Sequence, residues 1–215
     1  MAYRETDKVR QRKDSVRRRI LETVRARLGS GGFGEATMKR LAREAGLATG
    51  TLYRYFPDRT ELFAETFRVF TQREVDKFTE AAHGTGPCAQ RLASAVRTFS
   101  ERALEGHRFA YAMIAEPAEP EVEAERLAYR RAYAEVLHDL LRDGTRKREF
   151  VVDDPQVAAA GIVGAIAEAL IGPLSPPARA GVNGRLAPRE RRRLIESIVR
   201  FCLRAAGAKD RHYDR

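Results

Sequence analysis

The sequence predicts an all-α protein, with a small three-helix N-terminal domain and a larger C-terminal helical bundle domain, about nine helices in all. Three observations carry this. Apolar residues recur at intervals of three and four along most of the 215 residues, while the alternation of a strand is missing; Val151-Val152 is too short to make one. Gly, Pro and capping residues punctuate these runs at helix-sized distances. Hydrophobic residues are 43% of the chain, with 10 Phe and 7 Tyr, so there is enough to bury and the chain is globular.

Residues 1–13 read as a flexible basic arm carrying Arg4, Lys8, Arg10, Arg12 and Lys13. A first helix is expected from near Asp14, a good N-cap, with Ile20, Leu21, Val24 and Leu28 on its apolar stripe. The Gly29-Ser30-Gly31-Gly32 cluster is expected to stop it. Thr37 can cap a second helix over 38–45, and Gly46 breaks that helix. Thr49 can cap a short third helix through Tyr55, ended by Pro57. Asp58 and Glu61 give the fourth helix a capping box, and Phe63, Phe67, Phe70 and Phe78 make its stripe.

A break at 83–87 precedes helices expected over 88–106 and 107–115. The Pro-containing stretch 116–120 separates these from a long helix over 121–148. Asp154-Pro155 starts the next, which is expected to end at Ile171 before Gly172-Pro173. A Pro- and Gly-rich loop fills 174–187, and the last helix runs from Pro188 to about Gly207. The domains expected are therefore 14–60 and 61–207, followed by a frayed tail, 208–215.

Charge separates the two domains. The net charge is +10, and residues 1–60 hold fifteen Lys and Arg against seven Asp and Glu, a surplus of eight. A basic region concentrated in this way is the footprint of a phosphate-binding surface, though a solubilising tail has the same charge. No apolar run reads as long enough to cross a bilayer, no secretory signal is expected, and no membrane partner follows. Cys88 and Cys202 form no metal-binding spacing and suit a reducing cytoplasm. His83, His107, His138 and His212 are scattered, and phosphate-loop and nucleophile-elbow motifs are missing. Neither an enzyme, a metal nor a cofactor is expected.

The stretch 38–55, MKRLAREAGLATGTLYRY, has the layout of a helix-turn-helix. Ala42 is small enough for two helices to approach, Gly46 falls where the turn needs a positive φ, and Leu41, Leu47 and Leu52 pin the helices together. The second helix opens with short side chains, so its backbone can come close to base edges in a major groove. From Ser15 to Phe67 the chain resembles the tetracycline-repressor (TetR-like) family, most specifically in AGLATGTLYRYFPDRTELF with its turn Gly, paired tyrosines, Pro and capping box in order.

The resemblance implies an N-terminal helix-turn-helix DNA-binding domain and a C-terminal helical domain that dimerises and takes a small molecule. By that resemblance Thr49, Gly50, Thr51 and Tyr53 approach the major groove, and Thr37, Tyr55 and Arg59 contact phosphates. Arg54 is open to either use. Tyr55 has a rival reading, a ring packed on the first helix. The family commonly has Lys where this chain has Arg59; the charge is kept, with a different geometry. The arm either follows the DNA or is a solvated tail.

In the C-terminal half, Phe67, Phe70, Phe99, Tyr111, Met113, Tyr129 and Tyr133 either line a cavity or fill a plain core. Glu116 is a candidate polar anchor, and an aromatic lining suits a small, apolar organic ligand. The last two helices are rich in small and apolar residues. The resemblance implies that they pair with their mates across a homodimer interface carrying Val157, Gly161, Gly164, Ala165, Leu194, Ile198 and Phe201; burial within one chain is the alternative. The expected partner is double-stranded DNA with a two-fold symmetric operator, read by a cytoplasmic transcriptional repressor that its ligand releases. The rival readings are an architectural DNA-binding protein and a helical receptor that no longer reads DNA.

Overall fold

A computed structural model describes residues 7–176 and 185–208. Among these residues nine helices follow in order: α1 (Asp7–Glu35), α2 (Met38–Glu44), α3 (Thr49–Tyr55), α4 (Arg59–Ala82), α5 (Cys88–Gly106), α6 (Arg108–Ile114), α7 (Pro120–Arg146), α8 (Pro155–Leu174) and α9 (Pro188–Ala205). The fold class is the expected one. The first three helices form a head, α4 leads out of it, and α5 to α9 form the body. Within the body α4 lies against α5 and α7, α8 against α7, and α9 against α5, while α6 packs beneath α1.

Three of the expected caps are in place. Thr37 Oγ1 accepts from the Arg40 N–H at 3.3 Å, and Asp58 Oδ1 accepts from the Glu61 N–H at 2.8 Å. Asp154 Oδ1 accepts from the N–H groups of both Gln156 and Val157, so α8 starts where its sequence says. The cap expected at Thr49 differs. Ala48 holds the N-cap position of α3 without a side-chain bond, and Thr49 is the first helical residue.

The largest departure is α1. It begins at Asp7, so 7–13 are helical rather than a flexible arm; residues 1–6 lie outside the described part. An acidic residue in the first turn favours that start. The glycine cluster does interrupt the helix as expected: Gly32 is non-helical (φ +71°, ψ −171°), and a short helical turn follows to Glu35. The break seats Phe33 edge-on to Phe63, with ring centroids 5.2 Å apart. At the far end, α8 passes through Gly172-Pro173 to Leu174, three residues beyond the expected stop. Ala208, placed in the frayed tail, is buried and donates to the Leu203 carbonyl at 3.0 Å; 209–215 lie outside the described part.

Two apolar cores follow. The head core gathers Ile20, Leu28, Leu41, Leu52 and Phe56, and extends past residue 60 to Phe63, Phe67 and Phe70 of α4 and to Ala112 and Val122 of the body. The body core gathers Phe78, Leu92, Leu137, Phe150, Ile166 and Val199 with their neighbours.

Candidate nucleic-acid interface and cavity

The head turns one face to solvent. Gly46 holds a positive φ of 64° in the turn after α2, and the Leu47 N–H donates to the Ala42 carbonyl at 2.9 Å, which sets the angle between α2 and α3. Leu41, Ala42 and Leu52 are buried between them. On the outer side Thr37, Thr49, Gly50, Tyr53 and Arg54 are exposed, and Thr51 is half-buried. Tyr53, 48% exposed, is a large side chain that nothing in the fold buries. A shallow groove runs beside it, edged by Thr37, Lys39, Arg40, Arg43 and Thr49. Lys39 and Arg43 were missed by the sequence reading. The signal was available, since they sit on the side of α2 opposite Met38, Leu41 and Ala42.

Tyr55 and Arg59 stand apart from that face. Tyr55 is half-buried against the head core, and its carbonyl accepts from Arg17 Nη1 at 3.3 Å. Arg59, its side chain 38% exposed, is also engaged within the fold. Its Nη2 donates to the Phe33 carbonyl at 2.6 Å, its guanidinium stands 4.8 Å over the Phe63 ring, and its Nε lies 3.6 Å from Glu119. A planar guanidinium donates from its edge while its face lies over a ring, so Arg59 acts as a joint between Phe33, Phe63 and Glu119.

The body holds a cavity of about 500 Å³ between α4, α5, α6, α7 and α8, reached from α1. Six of the eight expected residues line it: Phe67, Phe70, Phe99, Met113, Tyr129 and Tyr133. Tyr133 meets Phe78 and Phe99 edge-on at 5.2 and 5.3 Å, and burial pushes its phenol pKa far up, so it stays neutral. The Tyr129 hydroxyl donates to the Arg68 carbonyl at 2.9 Å. Thr71 Oγ1, also in the wall, is buried without a hydrogen-bond partner among the described residues. Arg126 ties the wall together, donating to the carbonyls of Ala112, Met113 and Glu116 at the end of α6. Sequence reasoning missed Thr71 and Arg126, because a polar residue in an amphipathic helix reads as solvated.

Tyr111 and Glu116 are the two exceptions. Tyr111 packs against the body core beneath Arg108 and stays out of the cavity. Glu116 belongs to a joint between body and head: its Oε1 accepts from the Phe33 N–H at 3.3 Å, and its carboxylate pairs with Arg108 at 2.6 Å. Gly32 lies directly beneath this pair, and a Cβ there would overlap the Arg108 guanidinium and the Glu116 carboxylate. Glu116 thus meets a backbone N–H that the bend in α1 exposes.

The outer surface of α8 and α9 is the third expected feature. Val157 and Phe201 are 67% and 57% exposed, Gly161 is exposed, and Gly164, Ala165 and Leu194 are half-buried. Ile198 is buried in the body core beside α5 and is not part of this surface. The inward stripe of α9 takes Ile195, Ile198, Val199, Cys202 and Leu203, leaving Phe201 outside. By length and composition α8 is long and apolar enough to cross a membrane, with a mean hydropathy of 1.9, contrary to the sequence reading. Its lone charged residue is Glu168.

The family model of bacterial regulatory proteins, tetR family, matches residues 20–66, and that of the tetracyclin repressor-like C-terminal domain matches 85–170. The transcriptional repressor KstR of Mycolicibacterium smegmatis is 37% identical over 76 residues, 35% of this chain and 37% of that protein. The chain thus spans little more than a third of the length of that curated relative. FadR of Bacillus subtilis, solved with stearoyl-CoA, shares the fold at a TM-score of 0.74 and 17% identity, over 87% of this chain and 98% of its own. AibR, solved with isovaleryl coenzyme A and operator DNA, does so at 0.65 and 16%, over 86% and 97%.

Proposed function

The chain belongs to the tetR family of bacterial regulatory proteins, and from that premise we propose that it is a homodimeric, sequence-specific repressor released from its operator by a small, mostly apolar ligand. The observation that carries this reading is that α4 belongs both to the core behind the reading face and to the wall of an apolar cavity. The base-reading residues are Thr49, Gly50, Thr51 and Tyr53. Thr37, Lys39, Arg43 and Arg54 face the phosphates, which position the protein while base edges specify the sequence. Two heads held by α8 and α9, through Val157, Gly161, Gly164, Ala165, Leu194 and Phe201, read a two-fold symmetric site in the cytoplasm.

Release follows from linkage. A ligand that binds better to a conformer whose heads no longer match the operator spacing shifts the population toward it. The path is short: Phe109 and Met113 of α6 line the cavity, and Glu116 just beyond holds the Phe33 N–H. The KstR, FadR and AibR resemblances support a regulator rather than an enzyme.

The test is selection of duplexes from a random pool by the purified protein at near-physiological salt. Enrichment of a two-fold symmetric site is expected. Salt-sensitive binding without enrichment would instead make the protein an architectural DNA binder.

A further inference from the structure

Residues 7–15 of α1 are exposed, more than two turns of helix that no other element covers among the described residues. Val16 and Arg17 are the first to meet the head. Arg17 Nη1 donates to the carbonyl of Tyr55, the last residue of α3, and its guanidinium stands 4.5 Å over the Phe56 ring. The other end of α1 meets the body, where Gly29 lies beside Phe109 and the Phe33 N–H reaches Glu116. The uncovered turns therefore leave the head on the side opposite α6, beyond the end of the reading helix. From Arg17 back to Lys8 the helix rises about 14 Å, the length of about four base pairs.

These turns are basic. Lys8, Arg10, Arg12 and Lys13 stand against Asp7 and Asp14. The two acids are seven residues apart and share one flank of the helix, and Asp14 lines the cleft between α1 and α4 together with Arg17 and Arg18. Lys8 and Arg12 lie on another face, continued two turns on by Arg19, and between residues 7 and 19 that face carries no acid. Lys8, Arg10 and Arg12 form no ion pair among the described residues. Cations near the start of a helix oppose its dipole. This basic, uncovered start is thus a cost in the free chain, and a polyanion lying along it removes that cost.

We propose that the uncovered part of α1 is a second DNA contact, in which Lys8, Arg10 and Arg12 hold the phosphates that flank each half-site, outside the bases read by α3. The inference adds residues that the reading face above does not include, and it rests on the chain being a DNA-binding regulator. DNA is the occupant because the basic turns continue from the reading helix through the Arg17–Tyr55 contact, and because charge spread along a rod matches a row of phosphates. A backbone contact carries no base preference, so it strengthens binding to every sequence and lengthens the duplex that the chain covers. The helix matters as well as the charge. A rod holds its cations at fixed distances from α3, whereas a coil of the same composition must first be ordered.

Fluorescence anisotropy of the full chain on two labelled duplexes tests this. Both carry the best-bound site from the random pool; one ends at the outer bases of the half-sites, and the other is extended by about one helical turn at each end. The long duplex is expected to bind at least about tenfold more tightly at near-physiological salt. Lys8→Ala, Arg10→Ala and Arg12→Ala combined remove that advantage and lower the salt slope on the long duplex by about two or more, one contact or more per head. Discrimination between sequences and the unfolding midpoint stay in place, because these residues are exposed and alanine keeps the helix. Ser15→Pro retains every charge but unwinds the turns before it, and removes most of the advantage of length. Equal affinity for the two duplexes, an advantage that survives the triple variant, or one kept in full by Ser15→Pro overturns the proposal. So does a loss of sequence discrimination in the triple variant, which would put bases rather than phosphates at these residues. Binding to neither duplex overturns the DNA-binding reading together with this one, whereas tight binding that ignores duplex length overturns this one alone.

Discussion

The two halves of α4 are buried against different things. Toward its start, Leu62, Phe63 and Phe67 join the core of the head, where Phe63 meets Phe33 and the Arg59 guanidinium. Toward its end, Val75 and Phe78 join the body core, and Phe78 also faces an open cavity. In sequence these phenylalanines are one stripe with a constant period. In space Phe63 only fills a gap, Phe67 and Phe70 belong to the head core and border the cavity as well, and Phe78 belongs to the body core and borders it. The same pattern thus serves rigidity at the reading end and capacity at the other.

The sharpest way to break this contrast is to truncate each half. Phe63→Ala is expected to cost about 3–5 kcal/mol of stability, measured by urea unfolding, because no neighbour can relax into the hole. Phe78→Ala is expected to cost clearly less, since part of its surface already borders empty space, while altering ligand affinity. Equal losses would mean that the cavity closes in solution.

The joint between the halves comes next. Gly32→Ala forces a side chain into a positive-φ position beneath the Arg108–Glu116 pair. It is expected to destabilise by about 1–3 kcal/mol. The loss should be partly restored by Arg108→Ala, which removes the overlapping guanidinium. Unfolding of the single and double variants measures this.

At the reading end, Tyr53→Ala is expected to weaken operator binding by about 1–3 kcal/mol and relax discrimination without moving the unfolding midpoint. The smallest effect sharpens the contrast most. Arg59→Lys should lower stability by about 1 kcal/mol, through the lost bond to the Phe33 carbonyl, and leave the salt slope of DNA binding unchanged. Were Arg59 a phosphate contact instead, Arg59→Ala would lower that slope by about one.

How far the sequence revealed this depends on what kind of force fixes each feature. Caps and turns are local, so Thr37, Gly46, Asp58 and Asp154 could be read directly. The glycine cluster at 29–32 marked the break at Gly32, but not the turn beyond it, where Phe33 meets Glu116, 83 residues away. Six cavity residues followed from aromatic periodicity, but periodicity gives a helix face and not which neighbour it meets; hence Tyr111 fell outside and Ile198 turned inward. Thr71 and Arg126 had no signature at all, since their roles exist only once distant helices enclose them.

The uncovered side of α8 has a consequence for quantity. A helix of such apolar make-up, with Val157 and Gly161 bare to water, leaves a single chain with apolar area worth about 25 cal/mol per Å² still to be gained. Pairing two chains there, as proposed above, ties folded stability to protein concentration, so the melting temperature rises as the solution is made stronger. In a cell making few copies, gene dosage then sets a floor: below it, partners are too rarely found, and the lone chain is material for proteases rather than a regulator.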